Sequence, residues 1–159
     1  MIWIFTVIAF ALRFWKLGHG LPAIFYSDEG HYVYYALNMG SGDLNPHAFF
    51  HPSFYFYLCF FTDIFYILGG MLAGIFKAPG DAWSLYQTDP AVFYLLNRGV
   101  SAIFGSLTVP LIYLTGKEIF DKRVGLFAAA FLTFSFLHIQ FSQIAVLDVS
   151  FTFFLLLSF

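Results

Sequence analysis

The side chains best suited to chemistry are two adjacent carboxylates in a chain that is otherwise strongly apolar. Asp28 and Glu29 are followed, after one glycine, by His31 and Tyr32. A carboxylate within hydrogen-bond reach of a hydroxyl or amine can take up its proton during group transfer. Acidic side chains next to lipid are costly and are usually kept for function. Asp28 and Glu29 are therefore the first candidates for catalytic residues.

Three further polar residues stand at the borders of apolar stretches. His51 closes the polar segment that holds Asp28, Arg98 lies near the start of one apolar run, and Asp148 follows another. Cationic or hydrogen-bond-donating groups stabilise negative charge that develops during a reaction. Arg98 and His51 are therefore candidates for binding an anionic substrate group, and Asp148 is a candidate second acid.

The composition places these residues in a membrane protein. Of the 159 residues, 60% are hydrophobic and 10% are charged, and the mean hydropathy is +0.80. Soluble domains carry about 25% charged residues. The net charge of −2 is close to neutral, so we expect no nucleic-acid partner. Membrane lipids are the expected surroundings.

The apolar stretches predict an all-α fold, namely a polytopic α-helical membrane protein with juxtamembrane helices in its first external loop. A helix needs about 20 apolar residues to cross a bilayer. Basic loops stay in the cytoplasm, and Lys117, Lys122 and Arg123 mark one such loop. The predicted order is a span over about 1–17, an external loop over 18–91, a span over 92–115, a cytoplasmic loop over 116–123, a span over 124–145, an external loop around 148, and the start of another span over 149–159.

The acidic pair is predicted at the start of a helix that lies along the membrane surface. Ser27 is a favourable N-cap for a helix over about residues 28–39. Residues three or four apart share one face of a helix. We therefore expect Asp28, His31 and Tyr32 to point in the same direction.

Residues 53–76 leave two topologies open. The segment is apolar, but Asp63 and the pair Gly69-Gly70 interrupt it. If it dips into the membrane and returns, Asp28 and Asp148 lie together on the external side. If it crosses completely, they lie on opposite sides. We favour the first topology because a cytoplasmic N-terminus and a cytoplasmic loop over 116–123 together require that 53–76 does not cross completely. This topology places the candidate residues on one side of the membrane.

Both ends of the chain predict a longer protein. Met1 stands directly in apolar sequence, and Phe159 ends inside an apolar run. We therefore expect an N-terminal piece of a polytopic protein, inactive in isolation because its site is incomplete.

The order of these polar groups resembles that of GT-C membrane glycosyltransferases. These polyprenyl-phosphate-sugar-dependent enzymes are related to protein O-mannosyltransferases and to the aminoarabinose transferase that modifies lipid A. The resemblance covers most of the chain and rests on YSDEGHY at 26–32, GD at 42–43, HP at 51–52, Arg98, GSLTVPLIYL at 105–114 and AVLD at 145–148. It implies transfer of a sugar from a polyprenyl-phosphate donor to a protein or lipid acceptor at the external membrane face.

The resemblance also implies roles for the candidate residues. Asp28, with Glu29 beside it, matches the first-loop acid that acts as catalytic base or positions the acceptor. Asp148 matches the second-loop acid, and His51 stands where relatives hold a basic group near the donor phosphate. The expected site is catalytic at Asp28, Glu29 and Asp148 and substrate-binding at His31, Tyr32, His51 and Arg98, without a metal or other cofactor.

Two departures from the family pattern bear on the subfamily. HPSF at 51–54 lacks the second proline and the lysine that eukaryotic mannosyltransferases have after this histidine. Gln143 stands where many relatives have a basic residue. The resulting expectation is a hexosyl or pentosyl transferase of a prokaryotic cell membrane.

Two other readings stay open. In a non-enzymatic polytopic protein, such as a transporter or lipid-binding subunit, the acids would line a pathway within the spans. In a metal-dependent oligosaccharyltransferase relative, Asp28, Glu29, Asp148 and a histidine would gather around a divalent ion. No tight metal-ligand spacing is present, which makes the metal site the less favoured reading.

Overall fold

The computed structural model describes residues 1–159 and is built entirely from α-helices and connecting segments. This confirms the predicted all-α fold. The helices are α1 (Ile2–Phe14), α2 (Ser27–Met39), α3 (Phe54–Leu72), α4 (Pro79–Thr88), α5 (Ala91–Ile119), α6 (Lys122–Phe134), α7 (Phe136–Ser142) and α8 (Leu147–Leu157).

The lengths of these helices fit a membrane protein. Helices α3 and α5 are long and apolar enough to cross a bilayer, and the bent pair α6 and α7 qualifies if it forms one span. Helices α1 and α8 are shorter apolar helices. The predicted membrane character is therefore confirmed.

The chain divides into two compact units. The first unit comprises Met1–Leu17 and Ser101–Phe159, and the second comprises Gly18–Val100. Helix α5 contributes its beginning to the second unit and its remainder to the first. Each unit holds part of the predicted site.

In the first unit, small residues bring helices close together. Helix α1 packs against α6 and α7. A Cβ atom on Gly125 of α6 would lie 2.5 Å from the carbonyl oxygen of Tyr113 on α5 and 3.0 Å from the amide nitrogen of Lys117. Small residues allow such close backbone contact between apolar helices in membranes.

In the second unit, α2 packs on α3, and α3 packs on α4. The buried positions of α2 include Glu29, Val33 and Ala36, which recur at the spacing of one helical face. A single face of α2 therefore carries both apolar side chains and one carboxylate into the core of this unit.

The predicted span over 124–145 stays a prediction, and in the structure this stretch contains two helices, α6 and α7. The chain bends by 61° between α6 and α7, where Ser135 is extended with φ −64° and ψ 109°. Helix α5 also continues to Ile119, so the predicted loop over 116–123 is largely helical. Both α6 and α7 are apolar, so the hydropathy of the sequence gives no sign of the bend between them.

Helix α4 lies within the external loop predicted over 18–91. Pro79 occupies the first turn of α4, a position that proline favours because its missing N–H would have no partner there. The Asp81 carboxylate accepts hydrogen bonds from the amides of Lys77 at 2.7 Å and Ala78 at 3.1 Å.

Helix α3 is continuous through Gly69 and Gly70 and ends at Leu72. The expectation that the glycine pair interrupts this segment is therefore not met, since the helix continues through both glycines. Gly70 instead makes room for Phe76, whose ring would collide with a Cβ atom at that position. With 19 residues, α3 is about 28 Å long, which is close to the thickness of the hydrocarbon core of a bilayer, about 30 Å. The length is therefore compatible with a complete crossing, and the partial crossing stays a prediction.

Candidate functional site

The candidate site in the second unit begins at the first turn of α2. Tyr26, in an extended conformation, is the N-cap, and Ser27 is already helical. The predicted N-cap at Ser27 is therefore off by one residue. The Ser27 hydroxyl donates to Asp28 Oδ1 at 3.3 Å. Asp28 thus lies in the first turn of α2, where a negative side chain interacts favourably with the helix dipole.

Asp28 and Glu29 point to different environments. Asp28 is exposed, whereas Glu29 is 0% exposed. Neighbouring residues on an α-helix project about 100° apart, so the two carboxylates can lie in different environments. Of the two acids, Asp28 is the one that a substrate can reach.

Glu29 forms a two-pronged ion pair with Arg98 of α5. Arg98 Nε donates to Glu29 Oε1 at 2.7 Å, and Nη2 donates to Oε2 at 2.9 Å. Arg98 Nη1 also donates to the carbonyl oxygen of His19 at 2.9 Å. Both charged side chains are buried, and bidentate pairs of this kind fix geometry strongly. The ion pair fastens α2 to the start of α5 and to the segment before α2.

This pairing bears on the roles predicted for Glu29 and Arg98. Catalysis by Glu29 and phosphate binding by Arg98 both stay predictions. The geometry gives each residue a protein partner and a positioning role beside Asp28.

His31 and Tyr32 also diverge. Tyr32 is 1% exposed, and its ring centroid lies 5.2 Å from that of His51 and 4.9 Å from that of Tyr55. His31 is exposed and contacts the ring of Phe50 with centroids 5.9 Å apart. The predicted common face therefore holds for Asp28 and His31, whereas Tyr32 turns into the core.

A second buried polar contact was not foreseen. Asn97 Nδ2 donates to Asp63 Oδ1 at 3.1 Å and to Oδ2 at 3.3 Å, and also to the carbonyl oxygen of Phe93. Asp63 and Asn97 are both buried. An isolated acid in an apolar run signals a partner elsewhere in the chain, but one sequence does not reveal that the partner is Asn97.

The loop that follows α2 holds an exposed contact between a carboxylate and an imidazole. Asp43 Oδ2 lies 2.7 Å from His47 Nε2, and Asp43 Oδ1 accepts from the amide of Asn45 at 2.9 Å. The hydrogen bonds from His47 and Asn45 lower the pKa of the Asp43 carboxyl.

Asp148 belongs to the first unit. It lies in the first turn of α8 and is exposed, so the predicted loop around residue 148 begins a helix. Together with His138 and Thr152 it lines a cavity of about 350 Å³ at the junction of α7 and α8. His138 was not foreseen, because it lies inside an apolar run.

The predicted residues are thus distributed over both units. The second unit holds Asp28, Glu29, His31, Tyr32, His51 and Arg98, and the first holds Asp148. No group of three or more His, Cys, Asp or Glu residues among the 159 is arranged to hold a metal ion.

Comparisons with known proteins support the resemblance read from the sequence. The model of the family described as dolichyl-phosphate-mannose-protein mannosyltransferase matches residues 3–159. The dolichyl-phosphate-mannose–protein mannosyltransferase 4 of Saccharomyces cerevisiae is 33% identical over 148 residues, which cover 91% of this chain and 18% of that relative. The chain therefore spans about a fifth of the length of this curated relative. No solved structure matches. The family match extends over nearly the whole chain, and the chain belongs to the dolichyl-phosphate-mannose-protein mannosyltransferase family, a family of GT-C membrane glycosyltransferases.

Proposed function

We propose that this chain is the acceptor-side part of a membrane glycosyltransferase that moves a mannosyl group from dolichyl-phosphate-mannose to a protein. The observation that carries this proposal is the exposed Asp28 carboxylate in the first turn of α2, next to a Glu29 that is locked to Arg98. Membership of the family supplies the donor and the acceptor class.

In the proposed reaction, Asp28 acts as the general base. It accepts the proton of an acceptor hydroxyl while the hydroxyl oxygen forms a bond to the anomeric carbon of the sugar. The bond between that carbon and the phosphate oxygen breaks, and dolichyl phosphate leaves with the bonding electrons. Because Asp28 is held on a packed helix, it keeps its position while the acceptor changes.

The residues around Asp28 support this role in different ways. Glu29 and Arg98 fix the orientation of α2, and this fixes Asp28. The exposed imidazole of His31 and the half-buried one of His51 are the nearby groups proposed to contact the donor. Asp148, on the first unit, is proposed as the second acid of the complete enzyme.

The location and the finer specificity belong to the proposal as well. We place the reaction at the external face of the membrane, since the basic residues after α5 are expected in the cytoplasm. A hexosyl donor agrees with the family description, and a pentosyl donor has no such support. The relative reported above is a yeast protein, which gives no support to a prokaryotic origin. A lipid acceptor stays the alternative to a protein acceptor.

The test is transfer of radiolabelled mannose by the full-length protein in membranes. We expect label from dolichyl-phosphate-mannose in a serine- and threonine-rich peptide, little from a pentosyl donor, and no change on addition of a chelator. Label that moves from the donor to another lipid and not to the peptide, or transfer that requires a divalent ion, would contradict the assignment.

A further inference from the structure

An apolar groove lies between the C-terminal halves of α2 and α3 and the first turns of α4. It has a volume of about 580 Å³ and belongs entirely to the second unit. This volume falls within the range of small-molecule sites, about 300–1,000 Å³. The floor of the groove is formed by Leu37, Ile64, Ile67, Leu68 and Met71. Neither Asp28 nor any other residue assigned to transfer lines it, so the proposed function gives this groove no role.

The groove opens onto an exposed apolar stripe of α3. The stripe residues are at least half exposed and follow one another at intervals of four, three and four positions, namely Phe61, Phe65, Leu68 and Leu72. Leu68 belongs both to the stripe and to the groove. Exposed apolar patches of this kind mark membrane contacts, and α3 is long and apolar enough to cross a bilayer. An acyl chain can therefore enter the groove sideways from the surrounding lipid.

Aromatic rings stand at the α4 side of the groove. Trp83 lines it, and the centroid of the Trp83 ring lies 6.0 Å from that of Tyr34 on α2 and 5.6 Å from that of Tyr86. Tryptophan and tyrosine collect at the level of the lipid headgroups. The face of a tryptophan ring also attracts a quaternary ammonium group. This side of the groove therefore suits a headgroup, whereas the floor suits an acyl chain.

The electrostatics of the groove favour a positive group. The C-terminal ends of α2 and α3 both border it, through Gly40 and Met71, and helix C-termini carry partial negative charge. Neither helix has a basic residue in its last turn. Lys77, which precedes α4, acts on the Asp81 carboxylate and does not line the groove. A cationic headgroup is thus complementary to this end of the groove.

We infer that this groove binds one phosphatidylcholine molecule from the membrane. One acyl chain lies along the apolar floor, and the quaternary ammonium group lies against Trp83, near the C-terminal end of α2. Asn38 and Ser41, which also line the groove, supply an amide and a hydroxyl that donate to the lipid phosphate. The lipid joins α2, α3 and α4. This inference goes beyond the proposed function, because transfer of a mannosyl group requires no such lipid.

The test is photocrosslinking of the full-length protein in lipid nanodiscs. One probe is phosphatidylcholine with a diazirine near the end of one acyl chain, and the other is phosphatidylglycerol with the same chain. Mass spectrometry of the digested protein locates the labelled residues. We expect the choline probe to label Ile64, Ile67 and Met71, and the glycerol probe to label them about fivefold less, because it lacks the cation that Trp83 attracts.

Two variants and a matched control separate the headgroup from the chain. Trp83→Leu removes the aromatic face and keeps an apolar side chain, so it should lower labelling by the choline probe about fivefold without changing labelling by the glycerol probe. Ile67→Trp fills the floor and should lower labelling by both probes. Trp3→Leu, at a residue of α1 that is 74% exposed, is the control and should leave labelling of the floor unchanged. The wild-type comparison of the two probes does not depend on the folding of any variant.

Three outcomes would overturn the inference. The first is equal labelling of the floor by both probes, which would mean that the headgroup is not recognised. The second is label confined to the exposed stripe at Phe61 and Phe65, which would indicate only surrounding lipid. The third is displacement of the choline probe by dolichyl phosphate, which would assign the groove to the donor. Because labelling is measured without donor or acceptor, its failure is distinguishable from failure of mannosyl transfer.

Discussion

At the scale of single residues, the main result is that Asp28 is exposed, whereas Glu29 is buried and paired with Arg98. The sequence singled out both acids, and the periodicity around them contains the reason for their difference. Val33 and Ala36 lie four and seven residues after Glu29, so Glu29 shares a face with apolar side chains that are buried. Asp28 is outside this stripe. The periodicity of the sequence therefore indicates that Glu29 is buried, but it does not identify Arg98 as its partner.

The sequence alone does not identify Arg98 as the partner of Glu29, because the two residues are 69 positions apart. Hydropathy places Arg98 near the end of a helix, where binding a phosphate, binding lipid headgroups and pairing with an acid are all reasonable. Only the folded structure shows that Arg98 pairs with Glu29, and phosphate binding by Arg98 stays a prediction. His138 escaped notice for a similar reason, since a histidine in an apolar run gives no signal until Arg13 is placed beside it.

Glu29→Gln tests the positioning role. Removing one partner of a buried ion pair leaves the other charge unpaired and costs about 3–5 kcal/mol, so we expect a clear drop in the thermal midpoint of the full-length protein in detergent. The double variant Glu29→Met, Arg98→Met removes both charges and should recover most of that stability. Recovery of folding together with measurable transfer would support positioning. Recovered folding with no transfer at all would instead make Glu29 or Arg98 part of the chemistry.

At the scale of elements, the helices with strong apolar periodicity were predictable and the interruptions were not. Helix α4 carries a readable signal, with Pro79 in its first turn and Asp81 two residues later. The break at Ser135 carries none, because the residues on both sides are apolar and aromatic. Near this break the Arg13 guanidinium donates to the carbonyl oxygen of Leu132.

Asp81→Asn tests the start of α4. The amides of Lys77 and Ala78 lower the pKa of the Asp81 carboxyl below its usual value, so Asp81 contributes stability above that usual value, about 3.9, and loses it as the pH falls through the lowered pKa. The thermal midpoint of Asp81→Asn should therefore lie below that of the wild type at neutral pH. The gap should close in acid. A gap that is constant with pH would refute the capping role.

Gly105 tests the close packing inside the first unit. A Cβ atom at Gly105 of α5 would overlap the Ser142 hydroxyl and lie 3.0 Å from Val149 Cγ1. Overpacking of this kind costs about 1–3 kcal/mol, so Gly105→Ala should lower the thermal midpoint. Gly99→Ala on the same helix meets no atom within 4 Å and should be neutral or stabilising by about 0.5–1 kcal/mol. Equal effects of the two variants would contradict the described contact.

At the scale of the whole molecule, the central question is the membrane topology. Composition and charge predict it except for one point, which is whether α3 crosses the membrane completely. Asp28 and Asp148 belong to different units. They serve one reaction only if both are external. Continuity of α3 through Gly69 and Gly70 removes one reason for expecting a partial crossing, while the basic residues that follow α5 still favour an internal loop there.

Single cysteines at positions 28, 120 and 148 test this topology, with Cys59 replaced by serine. A membrane-impermeant maleimide should label positions 28 and 148 from outside in intact cells. Position 120 should be labelled only after the membrane is permeabilised. Labelling of 28 and 148 from opposite sides would show that α3 crosses completely and would separate the two acids.

The most direct test of the account is the rate of mannosyl transfer by Asp28→Asn in the full-length protein. Asparagine keeps the shape of the side chain and cannot accept the proton, so the rate should fall by about 10²–10⁴-fold, the usual contribution of general base catalysis. Membrane insertion and thermal stability should be unchanged. Asp43→Asn, at an exposed loop acid of the same unit, should retain transfer. A rate for Asp28→Asn close to that of the wild type would contradict the central claim that Asp28 accepts the proton.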